Sequence, residues 1–195
     1  MKNSYVFLAE GFEDIEAITV IDVLRRAGMP VKTVSITSSL MVKSAHGVNM
    51  GADVLFDSSL FQECDWLICP GGMPGATNLY DFAPLGGLLR QHAAKGGHLA
   101  AICAAPAVVF GQLGLLEGRE ATCYPGFEHL CRGAKMEDKA VVCSQGMVLG
   151  NGPANALVWA LNIVKETLGE QESRKVANGM LLYPRAENDL DYTFG

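Results

Sequence analysis

The sequence predicts an α/β fold: a doubly wound, mostly parallel β-sheet with helices on both faces. Two features carry that expectation. Apolar, β-branched runs alternate along the chain with stretches of helical periodicity, the pattern of βαβ units. The strand runs are also near-continuously apolar, as in strands buried on both faces. With 195 residues, 49% of them hydrophobic and 18% charged, the chain is long and apolar enough to build a core. No period repeats and no linker divides it, so residues 1–195 are expected as a single domain.

Tyr5–Ala9 opens as a buried strand. Ile15–Ala27 follows as an amphipathic helix carrying Ile15, Ile18, Ile21, Val23 and Leu24, and Gly28 then Pro30 stop it in the order a helix end requires. Val31–Ile36 is a second strand, rich in β-branched residues. Leu40–Val54 has short apolar pieces around Gly47 and Gly51 and predicts a small hairpin. Trp66–Cys69 is a strand that runs into Pro70–Gly75, a loop too rich in glycine and proline to be helical. Pro84–Lys95 is a helix closed by Gly96 and Gly97, Leu99–Ile102 the next strand, and Pro106–Leu113 the next helix. Ala121–Tyr124, Ala140–Ser144 and Met147–Leu149 are further short strands, and Pro153–Leu168 is a long helix. Pro184–Gly195 is polar and aperiodic, expected as a tail that frays or docks on a neighbour.

Charge and composition exclude several functions. The net charge is −6 and no basic cluster exceeds Arg25–Arg26, so neither nucleic acid nor an anionic membrane is an expected partner. No apolar run approaches the ~20 residues of a membrane span, and Tyr5–Ala9 is too short for a signal-peptide core; the expected location is cytoplasmic. The six cysteines contain no Cys-x-x-Cys and no Cys/His spacing of zinc type, so free thiols and no metal site are expected.

In an open parallel sheet, ligands bind beyond the carboxyl ends of the strands. Glu10–Glu16, Pro70–Gly75 and Cys103–Pro106 all fall there. Cys103 stands where a strand turns into a helix, and surrounding amides plus a helix N-terminus would favour its thiolate and lower its pKa. The joint is similar to a nucleophile elbow with alanines in place of glycines; as a plain core cysteine it would have no such role. Gly71 and Gly72 let bare N–H groups approach an oxyanion, although a turn needing positive φ accounts for them equally well. Of the acidic residues Glu10, Glu13, Asp14 and Glu16, most fit a solvated helix start. Glu16 sits among Ile15, Ala17 and Ile18, where burial would raise its pKa and let it donate a hydrogen bond to a thiolate.

Four segments, AEGFEDIEAITVIDVLRRAGMPV, CPGGMPGATNL, AAICAAPAVV and GNGPANAL, together resemble the ThiJ/PfpI superfamily in its Parkinson's-disease deglycase branch. The similarity runs in order from about Tyr5 to Tyr183. It implies a flavodoxin-like sandwich of the class I glutamine amidotransferase kind, and a homodimer. It matches the family's reactive cysteine to Cys103 and its glutamate partner to Glu16, the substrate-cradling amides to Gly72 and Ala104 with Gly71 adjacent, and the Gly-Pro bordering the pocket to Gly152 and Pro153. Peptidase-type members carry a histidine directly after the cysteine; Ala104 stands here, which argues against proteolysis. Deglycase relatives often carry histidine where this chain has Tyr124, which can hydrogen-bond but cannot shuttle protons near neutrality. His46 replaces an arginine that borders the pocket or dimer edge, which weakens the expected affinity for anions.

The resemblance implies a cofactor-free glyoxalase or deglycase in which Cys103 attacks a 2-oxoaldehyde, or an early glycation adduct of a protein, and Glu16 moves protons. The alternative is an oxidative-stress sensor or redox-responsive chaperone working through oxidation of Cys103. A PfpI-type hydrolase ranks below both. Flavin binding has only the topology behind it, and topology does not fix function.

Overall fold

A computed structural model describes residues 1–182; the tail expected at 184–195 lies outside the described residues. The elements are β1 (Asn3–Leu8), α1 (Asp14–Arg26), β2 (Val31–Ser35), β3 (Met41–Lys43), β4 (Asn49–Gly51), β5 (Val54–Leu55), β6 (Cys64–Cys69), α2 (Gly75–Asp81), α3 (Ala83–Ala94), β7 (His98–Ile102), β8 (Glu120–Ala121), β9 (Lys135–Met136), β10 (Val141–Ser144), β11 (Met147–Gly150), α4 (Ala156–Leu168) and α5 (Glu170–Gly179). Seven strands make the central sheet in the order β10-β11-β7-β6-β1-β2-β5. Every pairing in it is parallel except that of β10 with β11 at one edge. Helices α1, α4 and α5 pack together on one face, and α2, α3 and the turn after β7 on the other. Among the described residues, no helix is long and apolar enough to cross a membrane.

Burial on both faces explains the apolar strands. Tyr5–Leu8, Trp66–Cys69 and Leu99–Ile102 are all buried, and side chains from β1, β6 and β7 meet one core with Trp159, Ile163 and Val164 of α4. The chain order matters more for function. From β1 it winds outward to β2 and β5, then returns to lay β6 on the other side of β1. That reversal is a topological switch point, where loops leave adjacent strands in opposite directions and open a crevice.

Several sequence expectations shift in detail. β3 and β4 form the antiparallel hairpin expected within Leu40–Val54, while Val54–Leu55 leaves it to become the far edge strand of the main sheet. The strand expected over Ala121–Tyr124 shrinks to β8, which pairs with β9 outside the central sheet. Residues Pro106–Gly111 form π-helical turns; the Gln112 N–H reaches the Ala107 carbonyl at 3.3 Å and the Leu115 N–H the Phe110 carbonyl at 2.9 Å. Pro153–Asn155 is a 3₁₀ turn and α4 begins after it. Helices α2 and α5 have no counterpart among the sequence-predicted elements.

Candidate active site

The loops after β1, β6 and β7 converge at the switch point. Cys103 is the first residue past β7 and takes a φ of 64°, a left-handed conformation unusual for a side-chain-bearing residue. Both of its backbone groups are anchored: its N–H donates to the Gly150 carbonyl at 2.9 Å, and its carbonyl accepts from the Tyr124 N–H at 2.8 Å. Such a conformation persists only where the surroundings over-determine it. The joint therefore holds the thiol in one direction, toward the loop after β6. Cys103 as a whole is 8% exposed.

Glu16 enters from the first turn of α1 and is fully buried. The helix starts where the Glu13 carboxylate accepts the Glu16 N–H at 2.8 Å, an N-cap that fixes which residue turns inward. Glu16 Oε2 accepts the Gly71 N–H at 2.7 Å. No N–H or O–H of the described residues reaches Oε1, which leaves the Cys103 thiol as the carboxyl's remaining partner. Glycine at 71 is a steric requirement: a Cβ there would stand 2.8 Å from Cys103 Cβ and 2.9 Å from Glu16 Oε2. Gly72 has a φ of +88°, and a Cβ on it would meet the Glu13 nitrogen at 2.5 Å.

Burial pushes the Glu16 carboxyl up to about 7, with the Glu13 charge acting in the same direction and the bonds from Gly71 and Cys103 opposing it. The sequence suggests a depressed Cys103 thiol, and the site shows the reverse. Burial first, then the charge and hydrogen bond of Glu16, push the thiol up to about 12, while the Gly72 and Ala104 N–H groups pull it down. Two acids share one enclosure and cannot both ionise at neutral pH. If Glu16 keeps the proton, its charge vanishes and its hydrogen bond is donated to sulfur. Cys103 thus ionises more easily beside a protonated Glu16 than beside its carboxylate.

Of the residues expected at the site, Cys103, Glu16, Gly72 and Ala104 are brought together around the sulfur. Gly71 is there too, but its amide bonds Glu16 rather than facing a ligand. Tyr124 lies at the rim, 45% exposed and edge-on to Phe127. Gly152 lies beside it, where a Cβ would come 3.7 Å from the Tyr124 ring, and Pro153 opens the 3₁₀ turn leading into α4. His46 is tied to Asp14 by a 2.8 Å bond from Nδ1. Glu13, Asp14 and His46 each place a ligand atom within 4.8 Å of the others, the one set among the described residues with the spacing to hold a metal ion. Those atoms already serve the fold: Glu13 caps α1, and Asp14 accepts from Ser44 Oγ and His46. Glu13 is the residue that sequence reasoning passed over as a solvated acid. Its position just before the helical periodicity was the available signal.

The DJ-1/PfpI family profile matches residues 2–166. Protein DJ-1 homolog B of Arabidopsis thaliana is 34% identical over 193 residues, covering 98% of this chain but 44% of that protein. The chain thus spans about half the length of the Arabidopsis relatives it matches. The glutathione-independent glyoxalase DJR-1.2 of Caenorhabditis elegans is 32% identical over 183 residues, covering 93% of this chain and 97% of that one. The solved structure of oxidized Toxoplasma gondii DJ-1 superposes with a TM-score of 0.89 at 35% identity, over 93% of this chain and 98% of the other.

Proposed function

The chain belongs to the DJ-1/PfpI family, and from that premise we propose that it is a cofactor-free, cysteine-dependent glyoxalase converting 2-oxoaldehydes, or their early adducts on protein thiols and amines, to 2-hydroxy acids. One observation carries the reading. A fully buried glutamate whose carboxyl is raised to about 7 is bonded to a cysteine held at a strand-to-helix joint. A group that titrates near the working pH is the kind of acid–base catalyst such a proton transfer needs.

With the shared proton on Glu16, the Cys103 thiolate attacks the aldehyde carbon and a C–S bond forms. The carbonyl π electrons move to oxygen, which the Gly72 and Ala104 N–H groups accommodate and Glu16 protonates, giving a hemithioacetal. The Glu16 carboxylate then takes the hydrogen from the former aldehyde carbon as a proton, producing an enediolate, and returns it to the neighbouring carbon while the hydroxyl proton passes to that carbon's oxygen. The resulting thioester is hydrolysed by water, releasing the hydroxy acid and regenerating Cys103. The net change adds one water to the oxoaldehyde, with no external oxidant or reductant. Tyr124 at the rim is placed to hydrogen-bond the substrate, and Gly152 and Pro153 border the same opening. The relative named a glutathione-independent glyoxalase supports this choice of chemistry.

The test is turnover of methylglyoxal to lactate without glutathione by wild type, Cys103→Ser and Glu16→Gln. Product from wild type and loss of roughly two orders of magnitude or more in each variant is the expected result. Absence of product from freshly reduced wild-type protein overturns the proposal for this substrate class.

A second reading, oxidation sensing at Cys103, is favoured by the Gly72 and Ala104 N–H groups directed at the sulfur. The same donors suit the oxygens of a sulfinate. In either case we place the protein in the cytoplasm as a homodimer, with no nucleic-acid or membrane partner. The dimer reading rests on the exposed side chains of Ile15, Ile18, Met41 and Val48 around the start of α1 and the β3–β4 hairpin.

A further inference from the structure

An opening that the proposed reaction leaves unused lies where the end of α2, the π-helical turns after β7 and the loop between β8 and β9 meet. Its volume is about 480 Å³, and small-molecule sites run from roughly 300 to 1,000 Å³. None of its lining residues is among those gathered around Cys103. Backbone bonds hold its walls in place. The Gly118 N–H donates to the Gly133 carbonyl at 2.9 Å and the Lys135 N–H to the Arg119 carbonyl at 2.8 Å, tying the arm that bears Glu117 to the arm that bears Arg132. Gly111 lets the second arm rest on the π-helical turns, since a Cβ there would stand 2.4 Å from the Leu130 carbonyl oxygen. Gly114 has nothing within 4 Å of where its Cβ would be, so that side of the opening is clear. Tyr80, half-buried on α2, supplies an aromatic wall.

Two opposite charges line this opening without closing it. Arg132 and Glu117 are both exposed, yet among the described residues neither forms an ion pair with the other or with any third group. Every other arginine among the described residues has a partner. Arg25 holds Asp53, Arg26 holds Asp22 and Arg174 holds Glu170, while Arg90 donates to the Leu113 carbonyl and Arg119 to the Gln145 carbonyl. The Gly133 N–H, next to Arg132, likewise has no acceptor among the described residues. A guanidinium fork with an amide beside it is a donor set that suits a carboxylate. The unpaired Glu117 carboxylate on the other arm suits an ammonium.

From this arrangement we propose that the opening binds a short peptide with free ends, its carboxylate on Arg132 and its ammonium on Glu117. A free amino acid carries the same two groups on one carbon, too close together to bridge two charges that do not meet each other. Each added residue lengthens the reach by about 3.3–3.6 Å, so a few peptide units span the gap and occupy the volume. Those units lie along Tyr80 and the glycine backbones, which present no side chain to exclude them. The proposal is independent of the chemistry assigned to Cys103.

The experiment titrates triglycine into the isotope-labelled full chain and follows the amide resonances of Gly114, Gly118 and Gly133. Saturable shifts at these glycines are expected, with half-saturation on the order of 1 mM or below. Acetylating the peptide's amino end, or amidating its carboxyl end, is expected to raise half-saturation about fivefold, the share one exposed ion pair carries. Glu117→Gln is expected to bind free and acetylated triglycine alike, and Arg132→Gln free and amidated triglycine alike. Both side chains are exposed, so each variant keeps the wild-type fold and the spectrum checks it directly. The proposal is overturned if no saturable shift appears at those glycines up to roughly 50 mM peptide. It is equally overturned if triglycine capped at both ends binds as tightly as the free peptide, or if the two variants keep the wild-type preference for free ends. Cys103→Ser is expected to bind triglycine as wild type does, so a failure of methylglyoxal turnover leaves this reading untouched, and the reverse.

Discussion

Glu16 is a carboxyl withdrawn from water and left with one oxygen on a backbone amide and the other beside a thiol. Its ordinary value is 4.5 and the fold raises it to about 7, so the native state holds a proton that the unfolded chain releases. Stability follows from that difference: the contribution is whole below pH 4.5 and is lost as pH rises through about 7. The gap corresponds to about 3 kcal/mol. Glu16→Gln keeps an acceptor for the Gly71 N–H and has nothing to ionise. Its Tm, compared with wild type across pH 4–8, is expected to gain on wild type steadily toward the alkaline end; parallel curves would sink the assignment. The pairing of Cys103 with Glu16 was legible in the sequence because an acid among isoleucines and a cysteine after an apolar strand are both out of place. The direction of the Cys103 shift was not legible, since it depends on burial and on the charge facing the thiol, neither of which a sequence displays.

The π-helical turns after β7 do for the site what a regular helix would do less tightly. Their wider i→i−5 bonds bring Gly111 against the loop that carries Cys131, where a Cβ would stand 2.4 Å from the Leu130 carbonyl oxygen. Gly111→Ala therefore has to separate two backbones, a strain on the order of 1–3 kcal/mol. The expected result is a Tm lower by several degrees, at about 2–4 °C per kcal/mol in a chain of this size. Alkylation of Cys131 should speed up while Cys143, already exposed on β10, is unaffected. Unchanged Cys131 reactivity would show that the close approach does not seal that thiol. Apolar spacing could not have revealed the π form, because the same run of Val108, Val109 and Phe110 suits any helix. Helix α2 was masked by the Pro-Gly-rich segment it grows out of, with no side-chain cap to mark its start. Helix α5 buries only Ser173, Val176 and Ala177, too little apolar surface to print a stripe on the sequence.

The whole molecule concentrates its chemistry at one switch point and leaves one apolar face unpaired close to it. Along α1, Val20, Val23 and Leu24 enter the core, whereas Ile15 and Ile18 are 56% and 48% exposed. The periodicity that identified the helix had counted both isoleucines on its apolar side, without showing that this side serves two surfaces. The hairpin adds Met41 and Val48, and it is fastened to the start of α1 by the Ala45 N–H on the Phe12 carbonyl at 2.8 Å and by Ser44 and His46 on Asp14. A two-fold dimer buries the same patch on both copies, so a charge placed there meets its own duplicate. Ile18→Lys is expected to convert a dimer into a monomer in light scattering or sedimentation. The fold should survive the change, because Ile18 is half-exposed in the single chain. Methylglyoxal turnover separates the remaining possibilities: if each protomer's site is complete in itself, the monomeric variant keeps its rate. If association instead fixes the first turn of α1, from which Glu16 projects, the rate falls together with the dimer. A wild-type chain that sediments as a monomer, or an Ile18→Lys variant that still dimerises, would remove this face from the account.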